Sequence, residues 1–351
     1  PGPVARTGER TRMEGGHLSC GKRLLAALIA ALIAVVIVVV VGELMVRLIR
    51  PQPSMYPRWQ FSSEYGTMLF PDREMVHERP GQWRFIYTTN ANQCRGELIP
   101  ISNSYERQNV LVLGDSYSFG TGVNDDEVYA AVLSEELGDG YDTVNFSVGG
   151  WGLTQHIRRF YEFGRLYDPT AVIVQFCDND PRDNYKNRVT TVENGKFVFR
   201  TSTFRLNFLK RFLSDSRIQK SQLYNLIRDP LYMRFARPTL TDAMRRAGEA
   251  DPDSVPVEQR FYNELLELFA GDLNERGISL IVISVDGQMS AFPFIEEMVG
   301  ELDSEGLLIY CEVLDWFEGK PHPKSPEGHV WGREAHRIIG TELAAVIREL
   351  E

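Results

Sequence analysis

Apolar residues are distributed along this chain in three ways. Leu24 to Val41 is uninterrupted apolar sequence, and Leu44 to Ile49 extends it in part. A run of that length can cross a bilayer as a helix, for which ~20 residues are needed. It has no polar face, which argues against a core helix. No small-x-small cleavage site follows it, so residues 24–48 are predicted to be a signal-anchor helix rather than a cleaved signal peptide. Between residues 49 and 106 no period emerges. Pro51, Pro53 and scattered aromatics there predict a linker leading into a domain.

From about residue 107, short apolar runs alternate with helical spacings. Val110 to Leu113 reads as a strand buried on both faces. Val128, Val132, Leu133 and Leu137 recur at helical spacing, opened by Asp125 or Asp126 and closed by Gly138. Val144 to Val148 is the second predicted strand. A helix follows from Thr154, with Ile157, Phe160, Tyr161 and Leu166 on one face and Asp168-Pro169 as its stop. Ala171 to Cys177 is the third strand. An interruption at about 185–257 precedes an amphipathic helix over Val257 to Arg276. Strands at Ile278 to Val285 and Leu307 to Val313 and a closing helix from Trp331 to Leu350 complete the pattern. This alternation is that of a doubly wound parallel sheet.

The first strand ends abruptly at Gly114-Asp115-Ser116, which delivers Ser116 to the C-terminal edge of the sheet, where open α/β sheets hold their ligands. A serine hydroxyl becomes a good nucleophile only when a neighbouring base takes its proton. The chain has six histidines. His17 precedes the predicted anchor, His77 lies in the predicted linker, and His156 reads as a surface residue on a helix. His336 falls within the closing helix as a solvated or packing residue. His322 and His329 remain. His329 is preferred, because Glu327 two residues earlier can orient its imidazole and the closing helix follows at once. His322 has no acid close before it, Glu318 being four residues upstream.

Four blocks occur in order: Gly114-Asp115-Ser116, Val144 to Gly152, Phe176 to Asp180, and Pro321 to His336. Together they resemble the SGNH (GDSL-type) hydrolase family over roughly residues 85–351, the middle insertion excepted. The resemblance implies a flavodoxin-like three-layer α/β/α sandwich with a parallel sheet of about five strands. It implies Ser116 as nucleophile, and an oxyanion hole made by the backbone N–H groups of Ser116 and Gly150 and the side-chain amide of Asn179. No cofactor and no metal is implied. The expected activity is that of a membrane-anchored serine esterase or deacylase acting on acyl esters. Similar proteins move acyl groups onto or off cell-envelope polysaccharides, so acyl transfer is an alternative. A non-catalytic glycan- or protein-binding domain is another, since no Asp-x-x-His stands at the C-terminus.

Composition narrows the partners. The net charge of −10 over 351 residues argues against general nucleic-acid binding. Fifteen Lys/Arg against five Asp/Glu between Pro181 and Gly248 make the insertion basic within an acidic chain. It is expected to act as a lid beside the site or to meet an anionic surface. Cys20, Cys94, Cys177 and Cys311 show neither metal-ligand spacing nor a dense disulfide framework. Cys177 reads as a small buried hydrophobe, and a Cys94–Cys311 bridge is left open. Gly149-Gly150-Trp151-Gly152 matches no nucleotide-phosphate fingerprint. Lys22 and Arg23 ahead of the apolar run predict a cytoplasmic segment 1–23 and an extracytoplasmic domain over 107–351.

Overall fold

The computed structural model describes residues 20–101, 107–201, 217–235, 255–317, 320, 324–328 and 331–350. The chain divides into two compact units, Pro1–Arg50 and Pro51–Glu351. The first contains helix α1 (Cys20–Ile49), whose span Gly21–Ile49 is long and apolar enough to cross a membrane. A membrane anchor and a signal sequence both fit such a helix.

The second unit opens with the stretch expected as a linker, and it folds. Strands β1 (Ser54–Tyr56), β4 (Arg73–Arg79) and β5 (Trp83–Thr89) form an antiparallel sheet, while β2 (Gln60–Ser62) and β3 (Gly66–Met68) pair as a hairpin. Its core of Tyr65, Leu69, Met75 and Tyr87 packs on Phe119, Val148 and Trp151. Three-residue strands stabilised by partners far along the chain carry no readable period.

A five-stranded parallel sheet follows, in the order β12-β11-β8-β6-β7. Its strands are β6 (Gln108–Leu113), β7 (Tyr141–Asn145), β8 (Pro169–Phe176), β11 (Ser279–Ser284) and β12 (Ile309–Glu312). The chain leaves β6 for β7 on one side and then crosses to β8 on the other. β6 therefore lies at a topological switch point, where a crevice forms outside the strand ends. Val172, Val174 and Phe176 of β8 enter one core, whereas Ala171, Ile173 and Cys177 enter the other. Helices α4 (Leu153–Glu162), α7 (Val257–Glu275) and α8 (Pro293–Ser304) cover the first face. Helices α3 (Tyr129–Leu137) and α10 (Arg333–Arg348) cover the second, which completes the expected α/β/α layering.

Several elements depart from expectation. The second strand ends at Asn145, but Phe146 N–H still bonds Val112 O (2.9 Å) and Val148 N–H bonds Gly114 O (3.1 Å). Its continuation is thereby guided toward Ser116. Helix α4 stops at Glu162, so Leu166, expected on its apolar face, falls in a following 3₁₀ turn and is exposed. The last strand is short and gives way to the one-turn helix α9 (Val313–Trp316). His156 is not on the surface. It is fully buried beside Trp151, and burial pushes its imidazole down to about 3. Cys94, Cys177 and Cys311 are free thiols, so the Cys94–Cys311 bridge is absent. Of the basic insertion, a hairpin of β9 (Thr190–Glu193) and β10 (Lys196–Phe199) and the helix Gln222–Phe235 are described, and the remainder lies largely outside the described residues.

Candidate active site

Ser116 follows β6 as the first residue of a four-residue helix, α2 (Ser116–Phe119). Gly114 ends the strand where no side chain fits, since a Cβ there would lie 2.3 Å from Ser118 Oγ and 2.8 Å from Gln175 Oε1. Gln175, on β8, accepts from Asp115 N–H and from Ser118 O–H, both at 3.1 Å. Asp115 caps the helix, its Oδ1 accepting from Tyr117 N–H at 2.9 Å.

So short a helix has little stability of its own, and its carbonyls are met by donors brought to it. Thr121 N–H bonds Ser116 O and Gly120 N–H bonds Tyr117 O, each at 3.0 Å. Asn145 Nδ2 donates to Ser118 O at 2.9 Å, and Arg95 donates to Phe119 O. Arg95 also reaches Gly120 O and Val123 O, both at 2.7 Å, and pairs with Asp125 at 2.8 Å. Its side chain is 1% exposed and lies over the rings of Tyr87 and Phe119. Backbone bridges from Arg95 to Thr89 and Asn145 join the N-terminal sheet to β7.

A cleft of about 420 Å³ opens over Ser116, lined also by Gly149, Gly150, Asn179 and Glu327. Gly150 has φ +78°, a conformation that glycine adopts without strain. Asn179 lies at the N-terminus of α5 (Asp180–Asn187), where its Nδ2 donates to Asp183 Oδ2 at 2.9 Å. The end of β8 is pinned twice. Asp180 N–H bonds Cys177 O and Cys177 N–H bonds Asp180 Oδ2, each at 3.0 Å. Burial, with Asp115 nearby, pushes the Asp180 carboxyl well above the usual carboxylate range. Cys177 is buried as expected, and its Sγ lies against Asn179 Oδ1 and 3.1 Å from Asp115 Oδ2, joining the end of β8 to the cap of α2.

The other wall comes from residues read as linker. Arg58, Trp59 and His77 line the cleft, together with Arg228 from helix α6 (Gln222–Phe235). Trp59 packs edge-on to Phe119 at 5.8 Å and lies against Gly149. His77 Nδ1 is 2.9 Å from the Tyr87 hydroxyl, which accepts from Gly122 N–H at 2.8 Å. Ser325 O–H donates to Gly122 O at 2.9 Å, and Glu327 N–H donates to Ser325 Oγ at 3.3 Å. Lys324 and Trp331 pair as an antiparallel bridge, and Trp331 packs on Tyr117 at 4.9 Å.

Four sequence candidates thus share one cleft: Ser116, Gly150, Asn179 and Glu327. His329 and His322 lie outside the described residues, as does Glu318. His336 is buried, with its Nδ1 accepting from Tyr129 N–H at 3.2 Å, and burial pushes it down to about 3. It is a packing residue. Sequence reading missed Arg58, Trp59 and His77 as cleft residues because nothing local marks them.

No family model and no curated protein matches this chain. Solved structures with a similar course include a protein assigned to the G-D-S-L lipolytic family from Desulfitobacterium hafniense DCB-2. It is 12% identical, with 68% of this chain and 99% of that one covered at a TM-score of 0.41. The psychrotrophic esterase EstA from Pseudoalteromonas sp. is 12% identical over 69% and 97% of the two chains, with a TM-score of 0.39. The aryl esterase from M. smegmatis is 12% identical over 70% and 100%, with a TM-score of 0.36. At such identities the chemistry has to be argued from the residues themselves.

Proposed function

We propose that this chain is a serine esterase or deacylase that cleaves acyl esters through a Ser116 acyl-enzyme. One observation carries the reading: Ser116, just past the end of β6, shares a single cleft with Gly150 and Asn179, which follow the two flanking strands β7 and β8. In this mechanism the Ser116 oxygen attacks the ester carbonyl as a base removes its proton. The backbone N–H groups of Ser116 and Gly150 and the Asn179 amide hold the negative oxygen that develops. The proton then passes to the departing alcohol, and water resolves the acyl-enzyme by the same route in reverse.

The base is assigned to His329, which falls in the chain between Glu327, a cleft residue, and Trp331, packed on Tyr117. Glu327 would orient the imidazole and stabilise its cation. The test compares His329→Ala with His322→Ala in the full chain in detergent, using a short-chain aryl ester. His329→Ala should lose activity by ~10²-fold or more, and His322→Ala should keep most of it. The reverse pattern removes both His329 and Glu327 from the mechanism.

Asn179 can serve the oxyanion only while its amide is aimed, and Asp183 on its Nδ2, with Cys177 against its Oδ1, supplies that aim. Asp183→Ala is therefore expected to lower kcat roughly tenfold with little change in KM, a fraction of what loss of a whole donor costs. Asp183→Asn, which still offers an acceptor, should recover most of it. Equal kcat in all three proteins would leave Asp183 without this role.

The helix α1 is proposed to anchor the chain, with the unit from Pro51 onward outside the cytoplasm. Lys22 and Arg23 before the apolar run support this orientation. A reporter active only in the cytoplasm should be silent when fused after Glu351, and signal from it would reverse the assignment.

A further inference from the structure

We propose that Trp59 limits the acyl group at Ser116 to acetyl size, which makes short-chain acyl esters the substrate class. This rests on the esterase reading of Ser116, and the measurement below tells failure of the limit from failure of that reading.

The indole ring and the nucleophile meet at Gly149. Its φ is not positive, so backbone geometry does not call for a glycine there. Space does. A Cβ on Gly149 would lie 3.1 Å from Trp59 Cζ2, 3.2 Å from Trp59 Cη2 and 3.8 Å from Ser116 Cβ. Carbon atoms pack best at about 3.5–4.0 Å, so the benzo edge of the indole fills room that a side chain would need. The edge and the serine are thus neighbours of a single methyl-sized position. An acyl chain that leaves Ser116 on this side meets the ring after its first carbon, and each further methylene has to displace it.

The ring is held in place. It packs edge-on to the fully buried Phe119, and Arg58 lies over it at 5.8 Å. Gln60, the next residue, donates from Nε2 to Leu69 O at 2.7 Å, which fixes the backbone beside it. The departing alcohol belongs on the other side of the serine, because its oxygen takes a proton from the base. That base is assigned beside Glu327, whose Cγ would lie 2.7 Å from a Cβ on Gly122. Trp59, Phe119 and Tyr87 form an edge-on row with centroids 5.8 and 5.3 Å apart, and the Tyr87 hydroxyl accepts from Gly122 N–H. Trp59 and Glu327 therefore mark the two ends of that row, and the acyl group takes the indole end.

The test changes one side of the ester at a time, in the full chain in detergent. kcat/KM is measured for 4-nitrophenyl acetate, butyrate and octanoate, and for 2-naphthyl acetate as a change of alcohol alone. Wild type should favour acetate over butyrate about tenfold or more, since a single methylene without room costs ~10–200-fold. Trp59→Ala should bring the two within about threefold. Trp59→Phe keeps a ring on Phe119 but lacks the benzo edge, and should fall between. The preference between the two alcohols should stay as in wild type in both variants, with folding checked by circular dichroism. A wild type that takes octanoate as readily as acetate overturns the proposal. So does a length preference kept in whichever variants fold, or a change in the choice of alcohol in its place. Each of these leaves the esterase reading standing, whereas a chain that cleaves none of the esters removes both.

Discussion

Ser116→Ala is expected to abolish ester turnover while leaving the fold intact. The nucleophile acts as a unit with its base, so the loss should be on the order of 10⁶-fold in kcat. Removing one oxyanion donor costs far less, ~2.7–4 kcal/mol. The fold should survive because the helix that begins at Ser116 is held by groups other than the serine hydroxyl. Asp115 caps it, Gln175 and Tyr129 fix Ser118, and Asn145 and Arg95 take its last carbonyls. The check is a steady-state rate with a short-chain aryl ester beside a thermal melt. Equal turnover by wild type and Ser116→Ala would remove Ser116 from the chemistry.

The second large effect is expected at Arg95, far in sequence from any catalytic block. Arg95→Ala takes the hydrogen-bond partner from Phe119 O and deprives Gly120 O and Val123 O of a donor, all within the turn that follows Ser116. A buried carbonyl left without a partner costs ~1–3 kcal/mol. Asp125 is partly exposed and can turn to water, so the loss arises mainly from the carbonyls. A fall of about 3–5 kcal/mol in unfolding free energy is expected, in the range seen when one partner of a buried pair is removed. Urea denaturation measures it. Arg95→Lys restores the charge but not the fork, and should recover less than half of the loss. A change under 1 kcal/mol in Arg95→Ala would show that the turn holds itself.

The parallel sheet was legible in the sequence because its strands are buried on both faces. A run such as Val110 to Leu113 needs no context to be read, and the glycines that end it are adjacent in sequence. Ser116, Gly150 and Asn179 were found for the same reason, each standing within a few residues of a readable strand end. What escaped is what depends on distant partners. The residues from Ser54 to Thr89 make strands of three to seven residues whose partners include Lys220, which lies over Tyr56, so neither their period nor their place at the cleft could be read. His156 was misread because helix α4 buries more than one face, packing Gln155, His156, Arg158 and Arg159 as well as its apolar residues. The targets of Arg95 are carbonyls, which leave no trace in sequence.

Covalent capture addresses the central claim most directly. The full chain in detergent is mixed with an aryl fluorophosphonate, digested, and mapped by mass spectrometry. One phosphonyl group per chain, on Ser116, in parallel with loss of aryl-ester turnover, is the expected result. A chain that hydrolyses the ester but carries the phosphonyl group on another residue, or takes up none, would contradict it.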